Sequence, residues 1–321
     1  MENIPSNITP SKILEEYDRG TIDKLSALNL LITLINNSND NNERCQCVKF
    51  LERLLHLGLP VFKFLENLMV SDSHSEIRIL SSSLIAKYFQ NKAQKLLKWV
   101  LDHEKEYNCL VSAIQNLQSI EHPYAKELLV EEIQKILNTN YLIQGKSFTT
   151  KCFKKDLKRL AQKKQLCDFS KQELGEIIIN YYTIKNLKAK FINVYYELEN
   201  ALITVLDLSD IEYEVRGWKA EFNNNIRELS QITGLSNLRN IKKLYLAHNY
   251  ISDIKDLIHL RKITHLYLAK NQLVAPENLE YLKMFPDLRI LDISGNPIAE
   301  KINLSDFRGV QIKLREHFHY I

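Results

Sequence analysis

Nowhere does the chain hold the roughly 18 consecutive apolar residues that a membrane-crossing helix requires, and the polar opening MENIPSNITPS has no signal-peptide core. The expectation from both is a cytoplasmic protein. Glycine and proline are scarce, at eight and seven of 321 residues, which favours helices and tight repeats over a loop-rich β-sandwich. The five cysteines, Cys45, Cys47, Cys109, Cys152 and Cys167, contain no CxxC pair and no zinc spacing, so they read as reduced thiols. Catalytic signatures are missing as well: there is no GxGxxG, GxxxxGK(S/T), HExxH or GxSxG. His317 and His319 form an HxH, but no further ligand lies near them in sequence. These absences lead to the expectation of a non-enzyme with no cofactor and no bound metal.

What is present is ordinary globular composition, 45% apolar and 26% charged, in a length that suits two domains. One pattern recurs three times: IKKLYLAHNYI, ITHLYLAKNQL and LRILDISGNPI. Ile241, Leu244, Leu246, Asn249 and Ile251 correspond to Ile263, Leu266, Leu268, Asn271 and Leu273, and then to Leu288, Leu291, Ile293, Asn296 and Ile298. The asparagines step by 22 and then by 25. The frame LxxLxLxxNxL puts the paired leucines inward from a short strand, with an Asn side chain bonding the backbone where the strand ends. Leu229, Ile232, Leu235, Leu238 and Ile241 anticipate the tail from Ile251 to Ile263 at the same interval as the first two asparagines. A degenerate repeat with its strand half at Phe222–Arg227 therefore comes first. The stretch from about 203 to 298 resembles the 22-residue class of leucine-rich repeats found in a regulatory subunit of protein phosphatase 1. That resemblance implies fold more than function.

Residues 1–140 read as helices without strands, beginning at Thr9-Pro10 and first stopping at Gly20. Apolar residues recur at i, i+3, i+4 and i+7, as in Phe50, Leu51, Leu54 and Leu55. The helices also repeat. Matching Arg44 to Arg78 puts Phe50 on Leu84 at an offset of 34, and matching Glu76 to Glu106 puts Leu80 on Leu110 at 30. Helix pairs at this spacing resemble HEAT-type repeats, which stack because an isolated copy cannot bury both faces; a plain helical bundle is the alternative. The fold class expected is therefore an α plus α/β solenoid: a HEAT-like α-α superhelix over 1–140, connecting and capping helices over 141–189, and a capped leucine-rich repeat domain over 190–321. Helical repeats followed by leucine-rich ones are an order expected of intracellular scaffolds, including archaeal ones.

Net charge is about −3 for 1–140, +6 for 141–199 and +1 for 200–321. The excess lies in a basic amphipathic helix with Lys146, Lys151, Lys154, Lys155, Lys158, Arg159, Lys163 and Lys164 against Asp156 alone, and a narrow stripe of Phe153, Leu157, Leu160 and Ala161. It is read as a solvated face packing its stripe on a neighbour, as a contact for an acidic protein surface, or as a contact for nucleic acid or anionic lipid. Ser170 and Glu173 make a capping box. Residues 191–210 look like two strands around a turn at Glu199 and Asn200, capping the repeats. Beyond Asn296 a helix from Ser305 through Phe307, Val310, Leu314 and Phe318 is preferred over a strand through VQIKL.

In the repeat frame the residues between the leucines line the exposed, concave sheet. They are Tyr245, Tyr267 and Asp292, flanked by Lys243, His265 and Ile290, by His248 and Lys270, and by Lys242 and Arg289 at the edge. Stacked tyrosines rimmed by cations suit a protein interface; a simple cross-strand ladder is the alternative. The functional expectation is a non-catalytic scaffold or regulatory adaptor holding a protein partner, with phosphatase or small-GTPase regulation as a subclass by analogy. The alternative is a nucleic-acid or anionic-membrane accessory protein acting through the 146–164 helix.

Overall fold

The computed structural model describes residues 8–54, 58–138, 151–213 and 225–315. Helices come first: α1 Pro10–Asp18, α2 Lys24–Asn37, α3 Asn41–Leu54, α4 Gly58–Ser71, α5 Ser75–Tyr88, α6 Gln90–His103, α7 Tyr107–Ser119, α8 Pro123–Asn138, α9 Lys151–Lys163 and α10 Lys171–Lys190. Strands follow, interrupted by one short helix: β1 Phe191–Ile192, β2 Tyr195–Glu199, β3 Leu202–Asp207, β4 Glu212–Tyr213, β5 Lys243–Tyr245, β6 His265–Tyr267, α11 Glu277–Lys283, β7 Ile290–Asp292 and β8 Gln311–Lys313. No described helix is long and apolar enough to cross a membrane. The chain divides into two compact units, residues 1–132 with 170–175, and residues 133–169 with 176–321.

In the first unit, local chemistry sets the helix ends. Thr9 caps α1 by accepting from Lys12 N at 3.3 Å, with Pro10 at the first helical position, an arrangement that satisfies a backbone donor the helix itself leaves free. The helix stops before Gly20, whose φ of 73° is left-handed and suits a residue without a Cβ. Asp23 caps α2 through Ser26 N at 2.7 Å. Helices α1, α3, α5 and α7 lie successively beside one another, and α2, α4 and α6 pack on the odd-numbered helix that follows each. Side-chain contacts recur at a matching interval. Arg53 meets Asp18 at 2.8 Å, Lys87 meets Glu52 at 2.6 Å, Asn116 meets Ser82 at 2.8 Å and Lys98 meets Glu131 at 2.7 Å, over separations of 33 to 35 residues.

Two shielded arginines at corresponding positions tie helices to loops. Arg44 pairs with Asp72 and donates from Nε to Ile35 O at 2.8 Å. Arg78 pairs with Glu104 at 2.9 Å and donates to Asp72 O at 2.9 Å. Of the α3 stripe, Leu51 and Leu54 are fully buried and Phe50 is half-buried, whereas Leu55 lies outside the described residues. The capping box forms as the sequence predicts: Ser170 N donates to Glu173 at 2.7 Å, and Glu173 N to Ser170 Oγ at 3.1 Å, so each side chain satisfies the other's backbone donor.

The second unit is built on a six-stranded sheet in the order β2-β3-β5-β6-β7-β8; β2 runs antiparallel to β3 and every other pair is parallel. Leu206, Leu244, Leu266 and Leu291 stand in register and are fully buried, as are Leu208, Leu246, Leu268 and Ile293 one layer on. Asparagines close β5, β6 and β7. Asn249, Asn271 and Asn296 are buried, and each donates twice or more to backbone carbonyls and accepts one backbone N–H, from Ile226, Ile251 and Leu273 respectively. The hairpin is tied to α10 by Asn180, whose Oδ1 accepts from Ile203 N at 2.9 Å.

Three expectations need adjustment. The hairpin turn falls at Asn200 and Ala201, not at Glu199 and Asn200, because both turn residues take left-handed φ, 54° and 60°. That is what a two-residue turn matched to the strand twist requires. The segment after Asn296 is not a helix from Ser305. Leu304–Phe307 forms only a 3-10 turn, Gly309 at φ 81° breaks the helical path, and Gln311–Lys313 adds as β8 to the open edge of β7. The addition gives the unpaired backbone groups of that edge their partners. The proposed strand half Phe222–Arg227 forms no strand over 225–227, and its residues 222–224, like His317, Phe318 and His319, lie outside the described residues.

Candidate functional site

One face of the six-stranded sheet carries two parallel rows of side chains, because alternate residues on every strand point the same way and the strands are in register. The first row runs Tyr195, Asp207, Tyr245, Tyr267, Asp292, Lys313; the second runs Glu197, Val205, Lys243, His265, Ile290, Gln311. The sequence-predicted residues Lys243, Tyr245, His265, Tyr267 and Asp292 therefore do come together. Tyr245 and Tyr267 stack face to face with centroids 4.3 Å apart and an interplanar angle of 3°. Burial holds the Tyr245 hydroxyl above its ordinary pKa, helped by Tyr267, Asp207 and Glu197, since each of these disfavours the phenolate.

The rest of the predicted set is placed differently. His248 and Lys270 do not lie on the strands. They occupy equivalent bends just before Asn249 and Asn271, at φ 57° and 53°, where the next repeat has Gly295 at 70°. Arg289 is exposed and precedes β7, and its backbone carbonyl accepts from Gln311 N at 2.7 Å. Asp292 is only 8% exposed: it accepts from Ser294 N and Oγ at 3.0 and 2.6 Å and pairs with Lys313 at 3.2 Å. His265 bonds Thr264 Oγ1 at 2.8 Å. Its pKa is lowered by burial and by the charges of Lys243 and Arg289, each of which disfavours the protonated imidazole.

Six members of the face escaped the sequence reading: Tyr195, Glu197, Val205, Asp207, Gln311 and Lys313. Asp207 was findable, since it stands between Leu206 and Leu208 as Tyr245 stands between Leu244 and Leu246. Lys313 was hidden by the helical reading of the tail. A groove of about 830 Å³ beside the asparagine turns, lined by Asp253, Gln272, Val274, Glu277 and Tyr281 among others, contains none of the predicted residues.

On α9, Phe153 and Leu157 are fully buried, with Phe153 edge-on to Tyr181 at 5.4 Å. Asp156, the lone acid, accepts from Ala201 N at 2.6 Å and anchors the hairpin turn. Lys155, Lys158, Arg159 and Lys163 are exposed and Lys154 is half-buried. Lys164 Nζ lies 4.2 Å from the Phe169 ring centroid, within cation–π range. Burial, followed by the neighbouring Lys158 charge, lowers the Lys154 pKa. Lys146 lies outside the described residues. Among the described residues no group of three or more His, Cys, Asp or Glu side chains is placed to hold a metal ion.

No protein-family model matches the chain, and no curated protein matches its sequence.

Proposed function

We propose that the chain is a non-catalytic, cytoplasmic protein-interaction scaffold or adaptor that holds a protein partner on the exposed face of its six-stranded sheet. The observation that carries this reading is the flat Tyr245–Tyr267 stack at the middle of that face. Aromatic side chains fixed by packing offer contact area at little entropic cost, and a polar surround suits a specific protein surface. Here that surround is Lys243, Asp207 and Glu197. The asparagine turns and the in-register parallel strands support reading this unit as leucine-rich repeats of the 22-residue type. Neighbouring odd-numbered helices and contacts 33 to 35 residues apart support a HEAT-like solenoid in the helical unit.

The test is affinity capture from native cytosol with mass spectrometry, comparing the unaltered chain with Tyr245→Glu/Tyr267→Glu and with a variant neutralised at Lys154, Lys155, Lys158, Arg159, Lys163 and Lys164. One dominant protein is expected to be lost in the tyrosine variant alone. A capture profile indifferent to the tyrosines overturns the reading.

A second reading is favoured by the exposed cations Lys155, Lys158, Arg159 and Lys163 on α9, with nucleic acid or an anionic membrane as the partner. It predicts binding that falls steeply between low and high salt. Recognition through the tyrosines is expected to change far less over the same range, and titrating a labelled oligonucleotide or anionic vesicles at two salt concentrations separates the two.

A further inference from the structure

We propose that the hairpin end of the sheet face is an arginine slot, in which the planar guanidinium of a partner protein's arginine lies between the rings of Tyr195 and Tyr245, over the carboxylate of Asp207. The inference rests on the reading that this face holds a protein partner, and adds the chemistry of the contact.

Register supplies the shape. Tyr195, Asp207 and Tyr245 occupy one row on three adjacent strands. One face of Tyr245 is covered by Tyr267, so its other face looks toward Asp207. Strands lie about 4.8 Å apart, which sets the two tyrosine columns roughly 10 Å apart. A planar group stacked at about 3.5 Å from each ring needs roughly 7 Å, and the short aspartate between the columns leaves that height open. Tyr195 is 55% exposed and donates its hydroxyl to Glu197 at 2.8 Å, which fixes a second carboxylate at the rim.

Charge supplies the ligand. The row is nearly symmetric, with an aspartate on each side of the tyrosine pair. On one side Asp292 is already matched by the chain's own Lys313 at 3.2 Å. On the other, Asp207 accepts the backbone N–H of Ser209 at 2.8 Å and makes no ion pair among the described residues. Lys243 stands in the neighbouring row, on the strand next to Asp207. A cation arriving from outside completes for Asp207 what Lys313 provides for Asp292. A guanidinium fits better than an ammonium because it is flat, stacks on aromatic faces and can present two N–H groups to one carboxylate.

The test uses the full chain with ¹³C-labelled tyrosine rings, assigned through Tyr195→Phe, Tyr245→Phe and Tyr267→Phe. The probe is the peptide acetyl-Gly-Arg-Gly-amide, with its lysine and citrulline counterparts as controls. A saturable shift of the Tyr195 and Tyr245 signals is expected with the arginine peptide, at least about fivefold weaker with lysine, and lost with citrulline, which is planar but uncharged. Asp207→Asn keeps the shape and the acceptor for Ser209 N, so the fold is retained, and is expected to weaken binding at least about fivefold. No saturable shift, an equal response to citrulline, or an unchanged Kd in Asp207→Asn overturns the slot. Failure of the adaptor reading is recognisable separately. A captured protein that depends on Tyr245 and Tyr267 but ignores Asp207→Asn keeps the adaptor and removes the slot. Arginine-peptide binding in a chain whose captured proteins ignore the tyrosines does the reverse.

Discussion

Replacing Asn271 with alanine is expected to cost the sheet unit about 3 to 5 kcal/mol, roughly 6 to 20 °C in the melting temperature of a unit this size. Asn271 is 6% exposed and spans two repeats: Nδ2 donates to Leu246 O at 2.8 Å and Leu268 O at 3.0 Å, and Oδ1 accepts from Ile251 N at 2.9 Å. The three losses are unequal. Leu246 O also accepts from Asn249 at 3.1 Å, and Leu268 O from Asn296 at 2.7 Å, so each carbonyl keeps a donor. Ile251 N alone is stranded in the interior, at a cost of about 1 to 3 kcal/mol, and the two lost donations add about 1 kcal/mol each. Asn271→Asp is expected to be worse, because it removes the donor and buries a charge. The neighbouring Gln272 is exposed, and Gln272→Ala is expected to change stability by less than about 0.5 kcal/mol. Urea unfolding with amide exchange read at Leu246, Ile251 and Leu268 checks this. An Asn271→Ala variant within about 1 kcal/mol of the unaltered chain excludes the asparagine turn as a stabilising element.

The asparagine turns were legible because their physics is local and periodic: a residue type fixed by one hydrogen-bond geometry repeats at a nearly fixed interval. The rung made by Asn278 is different. It accepts from Ile254 N at 3.0 Å and donates to Ser252 O at 3.0 Å, yet it sits in α11, within the longer step between Asn271 and Asn296. No periodic frame points to it, since the added residues make that turn of the repeat a different shape. The face was half legible for a related reason. Strand register follows from the leucines, so Tyr245 over Tyr267 could be read directly, whereas Tyr195 and Lys313 join the row only through pairing at the two ends of the sheet, where the repeat pattern has stopped. The tail misled because Phe307, Val310 and Leu314 fall at helical spacing. What decides its conformation is a non-local fact, the unpaired edge of β7, together with the left-handed Gly309. In the helical unit the offset of 34 between Arg44 and Arg78 was visible in sequence. The carboxylates they meet, Asp72 and Glu104, lie 28 and 26 residues further on in loops that carry no periodic signal.

That second arginine gives the other large effect. Arg78→Met is expected to destabilise the helical unit by about 3 kcal/mol at pH 7, because it leaves an ionised carboxylate shielded from water without its partner. The Glu104 side chain there is only 12% exposed. The pH dependence carries the diagnosis. Burial acts on Glu104 most strongly and pushes its pKa up, but the N–H groups of Glu106 and Lys105 at 2.9 and 2.8 Å and the Arg78 guanidinium together outweigh it and hold the carboxyl below its ordinary 4.5. A carboxylate with a lowered folded-state pKa contributes stability that is complete above its unfolded pKa and is lost as pH falls through the folded value. In the unaltered chain that contribution therefore persists at pH 7 and fades below about 4.5. Removing Arg78 takes away one opposing cause and leaves burial, so the pKa of Glu104 rises and the carboxyl takes up a proton sooner on acidification. The gap between Arg78→Met and the unaltered chain is thus expected to be widest at neutral pH and to narrow steadily toward pH 4. Urea unfolding followed by far-UV circular dichroism at pH 7, 5.5 and 4 measures it. A gap that stays constant with pH would mean that Arg78 acts through packing and its bond to Asp72 O, and that the Glu104 charge contributes nothing.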